Sequence, residues 1–179
     1  MSYYSHQKYL IEELNKLDYS KPMVVLEFGT GDGSASILQS FALKYPNLRI
    51  ESFENDFGWY DKMTNKYPAD NYHFHHVDSW DKFFKNAEYG YFDEIYDLVF
   101  IDSSPWDARI QAIDVVRKKA KVIILHDYAY YNKEVIKDIL STGKDSFYGK
   151  KYGNNFIMEG YHEIYPETLV MRNKKWNTI

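Results

Sequence analysis

Val24-Val25-Leu26-Glu27-Phe28-Gly29-Thr30-Gly31-Asp32-Gly33-Ser34-Ala35-Ser36 decides the fold. An apolar run preceded by Pro22 meets alternating glycines and passes into a helix-compatible segment from Ser34 to Lys44. That order spells strand, tight loop and helix. Glycines let such a loop take positive φ and bring backbone amides against a ligand, and the helix behind it aims unpaired N–H groups at the same place. The stretch therefore reads as a cofactor pocket of phosphate or nucleoside size. Glycines also serve a βα turn that holds nothing, and one glycine loop is weak evidence between the two. The last glycine follows Gly31 by two positions, whereas a dinucleotide fingerprint spaces it by three.

Outward from this loop the chain alternates strands and helices. Tyr9, Leu10, Glu13, Leu14 and Leu17 recur at helical spacing, which predicts an amphipathic helix over 5–17 with Ser5 as its cap. Its place is over one face or edge of the sheet. After the turn Tyr45-Pro46-Asn47 comes Arg49-Ile50-Glu51-Ser52-Phe53, a second strand that ends at Glu54, and then a helix over 56–66 with Trp59, Tyr60 and Met63 on one face, stopped before Pro68. A third strand over 72–77 contains His73, His75 and His76. Alternation puts the first two on one side and the third on the other, so they do not converge on a metal. Asp78-Ser79 follows and would cap a helix over 79–86. A loop over 87–95 is crowded with Tyr89, Tyr91 and Phe92.

The fourth strand, Tyr96-Asp97-Leu98-Val99-Phe100-Ile101-Asp102, is apolar in the manner of strands buried on both faces, and it ends in an acid. Such a carboxylate projects into the crevice where open α/β sheets bind ligands. Capping the next helix is its structural alternative, for which Asp107 is better placed. A helix over 107–118 leads to a fifth strand, Lys121-Val122-Ile123-Ile124-Leu125-His126-Asp127-Tyr128, whose tip sets an imidazole beside a carboxylate. Another helix is expected over 132–140, stopped by Ser141-Thr142-Gly143, and two strands over 156–164 and 168–172 flank Tyr165-Pro166.

With Glu27 counted, the loop is Glu-x-Gly-x-Gly-x-Gly, and here the chain resembles the class I S-adenosylmethionine-dependent methyltransferases. The resemblance spans nearly the whole chain. It implies an α/β, Rossmann-like fold with helices on both faces of a mostly parallel seven-stranded sheet, closed by an antiparallel C-terminal strand. It implies one domain over 1–179, with an N-terminal helical segment (1–20), a cofactor-binding core (21–145) and the C-terminal strands (146–179). S-adenosyl-L-methionine is the implied cofactor, held by Glu27, Gly29, Thr30, Gly31, Gly33 and Ser34 at the loop. Glu54 would bind the ribose diol, and Asp78 with Ser79 the adenine. A carboxylate suits a diol because it accepts two hydrogen bonds.

Composition limits the partners. The 179-residue chain is long enough for a core, contains no cysteine, and has no run near bilayer length or basic-then-apolar leader. A soluble, cytoplasmic protein is expected. The net charge of −4 is mixed along the chain, and its one basic run, 117–121, suits a helix C-terminus, so duplex nucleic acid is not expected as partner. The 18 tyrosines suit flat polar ligands such as sugars, and equally a Tyr-rich core.

Methyl transfer requires mainly that the acceptor be positioned and its proton removed. His126 is the candidate base, oriented by Asp102 or Asp127. Alternatively Asp102 and Asp127 would ligate a hard divalent cation, Mg or Mn, that gathers a diol. The tips of strands four and five are similar to those of sugar and polysaccharide O-methyltransferases of the glucuronoxylan type, which implies a small-molecule or glycan hydroxyl as acceptor. They depart from catechol-type and macrolide-sugar-type enzymes, which carry Asp-Asn or Asp-Asp where His126-Asp127 stands. Competing readings are a spermidine-synthase-like aminopropyltransferase, another small-molecule or protein methyltransferase, or a non-catalytic cofactor-binding domain. The first of these carries an N-terminal β domain for which the stretch before the first strand is too short. Oligomeric state is left open.

Overall fold

The computed structural model describes residues 5–87, 92–128, 146–164 and 166–176. Thirteen elements follow in order: α1 (Gln7–Leu14), β1 (Met23–Phe28), α2 (Asp32–Lys44), β2 (Leu48–Glu54), α3 (Phe57–Lys66), β3 (Tyr72–His76), α4 (Trp80–Ala87), β4 (Leu98–Ile101), α5 (Trp106–Val116), β5 (Val122–His126), α6 (Phe147–Tyr152), β6 (Phe156–Tyr161) and β7 (Thr168–Asn173). The strands form one sheet in the order β3-β2-β1-β4-β5-β7-β6. Strands β1 to β5 pair in parallel, and β7 enters antiparallel to both β5 and β6. The chain winds outward from β1 to β3, then returns through β4 on the other side of β1. The gap between β1 and β4 is thus the topological switch point, where open α/β sheets bind ligands.

Period-two alternation sorts each central strand between two cores. Leu26, Phe28, Val99, Ile101, Ile123 and Leu125 face α4, α5 and α6, packing on Trp80, Phe84, Ala112, Ile113, Tyr148 and Tyr152. Val25, Ile50, Leu98, Phe100 and Ile124 face α1 and α2, packing on Leu10, Leu14 and Leu38. Each fully buried Leu or Ile contributes about 2 kcal/mol of transfer free energy. The even positions Ser52, Glu54, Phe100, Asp102, Ile124 and His126 share the α1/α2 face with Glu27. That parity gathers the polar tip residues under the N-terminus of α1.

Several local expectations change. Ser5 does not cap α1; its hydroxyl donates to Pro166 O at 2.6 Å, and His6 stands at the cap without a side-chain bond. Trp59 lies outside the buried face of α3, 43% exposed under Lys62, while Met63 is fully buried. Asp107 does not cap α5, since Pro105 occupies that position. The short α6 was not expected; Ser146 caps it through Gly149 N. Among the tyrosines, Tyr128, Tyr148 and Tyr152 are fully buried, so the Tyr-rich core explains these three. The expected features at Tyr89, Tyr91, 132–140, 141–143 and Tyr165 lie outside the described residues. Among the described residues no helix is long and apolar enough to cross a membrane.

Candidate active site

Register builds the site. Phe53, Phe28, Ile101 and Leu125 are lateral partners across β2, β1, β4 and β5. The next residue on each strand is therefore Glu54, Gly29, Asp102 and His126, side by side along the C-terminal edge. At Gly29 φ is +85°, and a Cβ there would lie 2.5 Å from Asp102 O. Both facts demand glycine. Gly31 differs: its backbone is extended, it caps α2, and a Cβ would meet nothing within 4 Å. The space over Gly31 is open, next to the first-turn amides of α2.

Carboxylates hold the loop from two sides. Glu54 Oε2 accepts from Thr30 N at 2.9 Å, and Oε1 accepts from Asn55 N and Asp56 N, both at 2.8 Å. Burial raises its pKa against those bonds. Of about four acceptor positions on a carboxylate three are filled, so one lone pair of Oε2 stays open to a hydroxyl. Glu27 has no exposed surface. Its Oε2 accepts from Ser52 Oγ and, at 3.0 Å, from Tyr72 OH. Burial pushes it up to about 7 against these bonds. Glu27 therefore supports the loop from beneath and has no surface with which to touch a ligand. Thr30 is 7% exposed, its side chain beside Glu27 and Tyr72 under the loop. Ser34 Oγ reaches back to Gly31 O at 3.4 Å, and Gly33 O accepts from the Gln7 amide at 2.9 Å, which ties α1 to the start of α2.

The other half of the site is clamped by Arg109. Its Nε donates to Ser103 O at 2.8 Å, Nη1 to His126 O at 2.6 Å and to Asp127 O at 3.2 Å, and Nη2 to Asp102 Oδ1 at 2.9 Å. Nη1 also stands 3.7 Å from Asp127 Oδ2. One guanidinium thus holds the tips of β4 and β5 and occupies the space between the two carboxylates. That corrects the expected Asp102–Asp127 site for a hard cation, because a cation of the protein already fills it. Asp127 has φ +52°, a left-handed conformation that Asp tolerates better than most residues. Three bonds hold it there: Asp127 N donates to Glu167 O, and Asp127 O accepts from Trp106 Nε1 and Arg109. Burial raises the Asp127 pKa, with Arg109 and His126 opposing.

His126 is 6% exposed and Asp102 keeps 29% of its side chain open. His126 Nε2 is 3.0 Å from Ser5 Oγ. Because Ser5 spends its one proton on Pro166 O, its oxygen accepts from Nε2–H. His126 Nδ1 lies 3.0 Å from Asp102 Oδ2 but is not aligned as a hydrogen bond. Burial works to raise the Asp102 pKa, yet His126 and Arg109 outweigh it and leave it lowered. His6, 3% exposed, sets its ring edge-on to His126 at 4.5 Å and tilted to Phe100 at 4.8 Å. Burial first, then His126, lowers its pKa to about 4 against the pull of Asp102.

The structure brings Gly29, Thr30, Gly31, Ser34, Glu54, Asp102, His126 and Asp127 to one sheet edge. Gly33 lies in the first turn of α2. Asp78 and Ser79 follow β3, the neighbour of β2; the Asp78 side chain is 90% exposed, 4.0 Å from His76. Sequence reading missed Ser5, His6, Ser103 and Arg109. The signal for Arg109 was present, since it shares the helical stripe of Ala112, Ile113 and Val116, all fully buried. Among the described residues His73, His75 and His76 form no metal-sized group; His75 Nε2 instead pairs with Glu51 at 2.6 Å.

No protein-family model matches the sequence, and no curated protein matches it. Solved structures do. Human methyltransferase-like protein 13, in complex with SAH, superposes with a TM-score of 0.68 over 97% of this chain and 84% of that one, at 18% identity. A putative O-methyltransferase from Klebsiella pneumoniae gives 0.65 over 97% and 81%, at 10% identity. TrmK from M. capricolum, in complex with its natural cofactor product S-adenosyl-homocysteine, gives 0.55 over 97% and 69%, at 11% identity. The chain shares the Rossmann-like methyltransferase fold of these proteins.

Proposed function

We propose that the chain is an S-adenosylmethionine-dependent methyltransferase acting on a hydroxyl of a small molecule, a sugar or glycan first among them. One observation carries this reading: Glu54, the glycine loop and Asp102 stand side by side at the tips of β2, β1 and β4, with open space over Gly31. The residues present fit the cofactor. Gly31 has open space over it beside the first-turn amides of α2, and Glu54 has one acceptor position free. Glu54 would take a ribose hydroxyl, the Gly29–Gly31 backbone would line the methionine part, and Asp78 with Ser79 would approach the adenine. When bound, the cofactor supplies a methyl group already activated by a sulfonium. The similar structure from Klebsiella pneumoniae is that of a putative O-methyltransferase, in support of an oxygen acceptor.

The protein's own work is then to orient the acceptor and take its proton. Asp102 is the member of the Asp102–His126 couple with open surface, so it receives the hydrogen bond of the acceptor hydroxyl. His126 Nδ1 lies 3.0 Å from Asp102 Oδ2 and is the place for the proton to pass to. Arg109 keeps both groups in place and stabilises the negative charge of Asp102. The test is methyl release from labelled cofactor against a panel of sugars and phenols. Transfer to a hydroxyl that His126→Ala abolishes, with cofactor binding retained, is the expected result. Turnover unchanged in that variant removes the couple from the mechanism.

A further inference from the structure

Asp102 Oδ2, His126 Nδ1 and one ring nitrogen of His6 converge with no hydrogen aligned between them. Both nitrogens of His6 lack a hydrogen-bond partner, as does Nδ1 of His126, although the two rings are 3% and 6% exposed. Buried polar atoms are nearly always satisfied, so three orphaned nitrogens in one cluster call for a cause. Proton accounting sharpens the point. With Nε2–H of His126 committed to Ser5, a neutral ring turns a lone pair toward the Asp102 carboxylate 3.0 Å away. A proton on Nδ1 would relieve that pair, but it would leave both nitrogens of His6 without a partner.

We infer that His6, His126 and Asp102 form a three-ligand site for a divalent first-row transition ion such as zinc, cobalt or iron. The three donor atoms all lie within 4.8 Å of one another. Two ligands each about 2.1 Å from an ion are about 3.0 Å apart at right angles and about 3.4 Å apart at the tetrahedral angle, and His126 Nδ1 and Asp102 Oδ2 are 3.0 Å apart. Closing the widest gap asks the His6 ring to move by up to about 1.5 Å, and no hydrogen bond resists that movement. Two imidazoles and one carboxylate favour these ions over magnesium, which prefers oxygen donors. The partly open Asp102 gives the ion its way in and leaves further positions for an outside oxygen. This set differs from the Asp102–Asp127 pair that Arg109 bridges, and an ion bound there takes up His126 Nδ1, so it describes the metal-loaded chain and the proton acceptance proposed above describes the metal-free one.

The test is a titration of chelator-treated full chain with cobalt(II), read by visible d–d absorption, with zinc(II) competition and thermal unfolding in parallel. One saturable equivalent, displaced by zinc and accompanied by a rise in Tm, is expected, with magnesium giving neither. His6→Ala and His6→Gln should each weaken binding about tenfold or more, while His73→Ala leaves it unchanged. Circular dichroism of the variants separates loss of the site from loss of the fold. Absence of both the absorption and the Tm shift in the wild-type chain overturns the inference. So does a titration unaltered by either His6 substitution in a folded protein.

Discussion

Gly29 and Gly31 sit two residues apart, yet the structure assigns them opposite burdens, and substituting each separates fold from function. At Gly29 an added Cβ must adopt φ +85° and lie 2.5 Å from Asp102 O and 2.6 Å from Ser103 Cα. The left-handed backbone costs roughly 1–2 kcal/mol, and moving the β4 tip by close to 1 Å costs about 1–3 kcal/mol more. Gly29→Ala should therefore lose roughly 2–5 kcal/mol, and at about 2–4 °C per kcal/mol for a chain of this length Tm falls by roughly 4–20 °C. At Gly31 the backbone is extended and the Cβ meets nothing. Gly31→Val forfeits only a weak helix-cap preference, about 1 kcal/mol or less, but fills the space over the loop. Scanning calorimetry measures the first effect, and titration with S-adenosylhomocysteine the second. A Gly29→Ala protein with wild-type Tm, or a folded Gly31→Val protein that still binds, refutes the division of labour.

Other residues give sharp expectations too. Arg109→Met removes four donor contacts from two strand tips and leaves Asp102 without its charge partner; denaturant unfolding should show a loss of about 3 kcal/mol, and turnover should fall further than cofactor affinity. Glu54→Gln keeps the shape but turns an acceptor into a donor, so S-adenosylhomocysteine affinity should drop about tenfold or more, and equal affinity would remove Glu54 from the ribose site. Glu27, raised from 4.5 to about 7, binds its proton more tightly folded than unfolded. Its contribution is present below about pH 4.5 and is lost as pH rises through about 7, by roughly 3 kcal/mol in all. Wild type should thus lose stability relative to Glu27→Gln between pH 5 and 8, and parallel curves would contradict its burial.

Much of the sheet was legible because strands buried on both faces leave continuous apolar runs, as in Leu98 to Ile101, and because glycine punctuation marks the βα turn after Phe28. The tips Asp102 and His126 followed from the same runs, each being the first polar residue past the core, whereas Glu54, in a strand that also carries Arg49, Glu51 and Ser52, was marked by its spacing from the glycine loop in the resembled family. What escaped was set by tertiary contact. Ser5 has the chemistry of a helix cap and was so assigned, but a carbonyl and an imidazole from distant segments claim its hydroxyl. His6 carries no local pattern, and only the docking of α1 beside β4 and β5 brings it to Asp102. Arg109 could have been found by helical phase; what it clamps could not. Glu27 shows the reverse error, a motif residue whose side chain points under the loop because strand alternation aims it at Ser52 and Tyr72.

Cofactor binding by the unmodified chain tests the central claim most directly. Calorimetric titration with S-adenosylhomocysteine should give one site, and ligand at about 100 times Kd should stabilise the fold by about 2.7 kcal/mol. No heat and no rise in Tm at about 1 mM ligand, in a chain shown to be folded, would mean that the open space over Gly31 serves some other molecule.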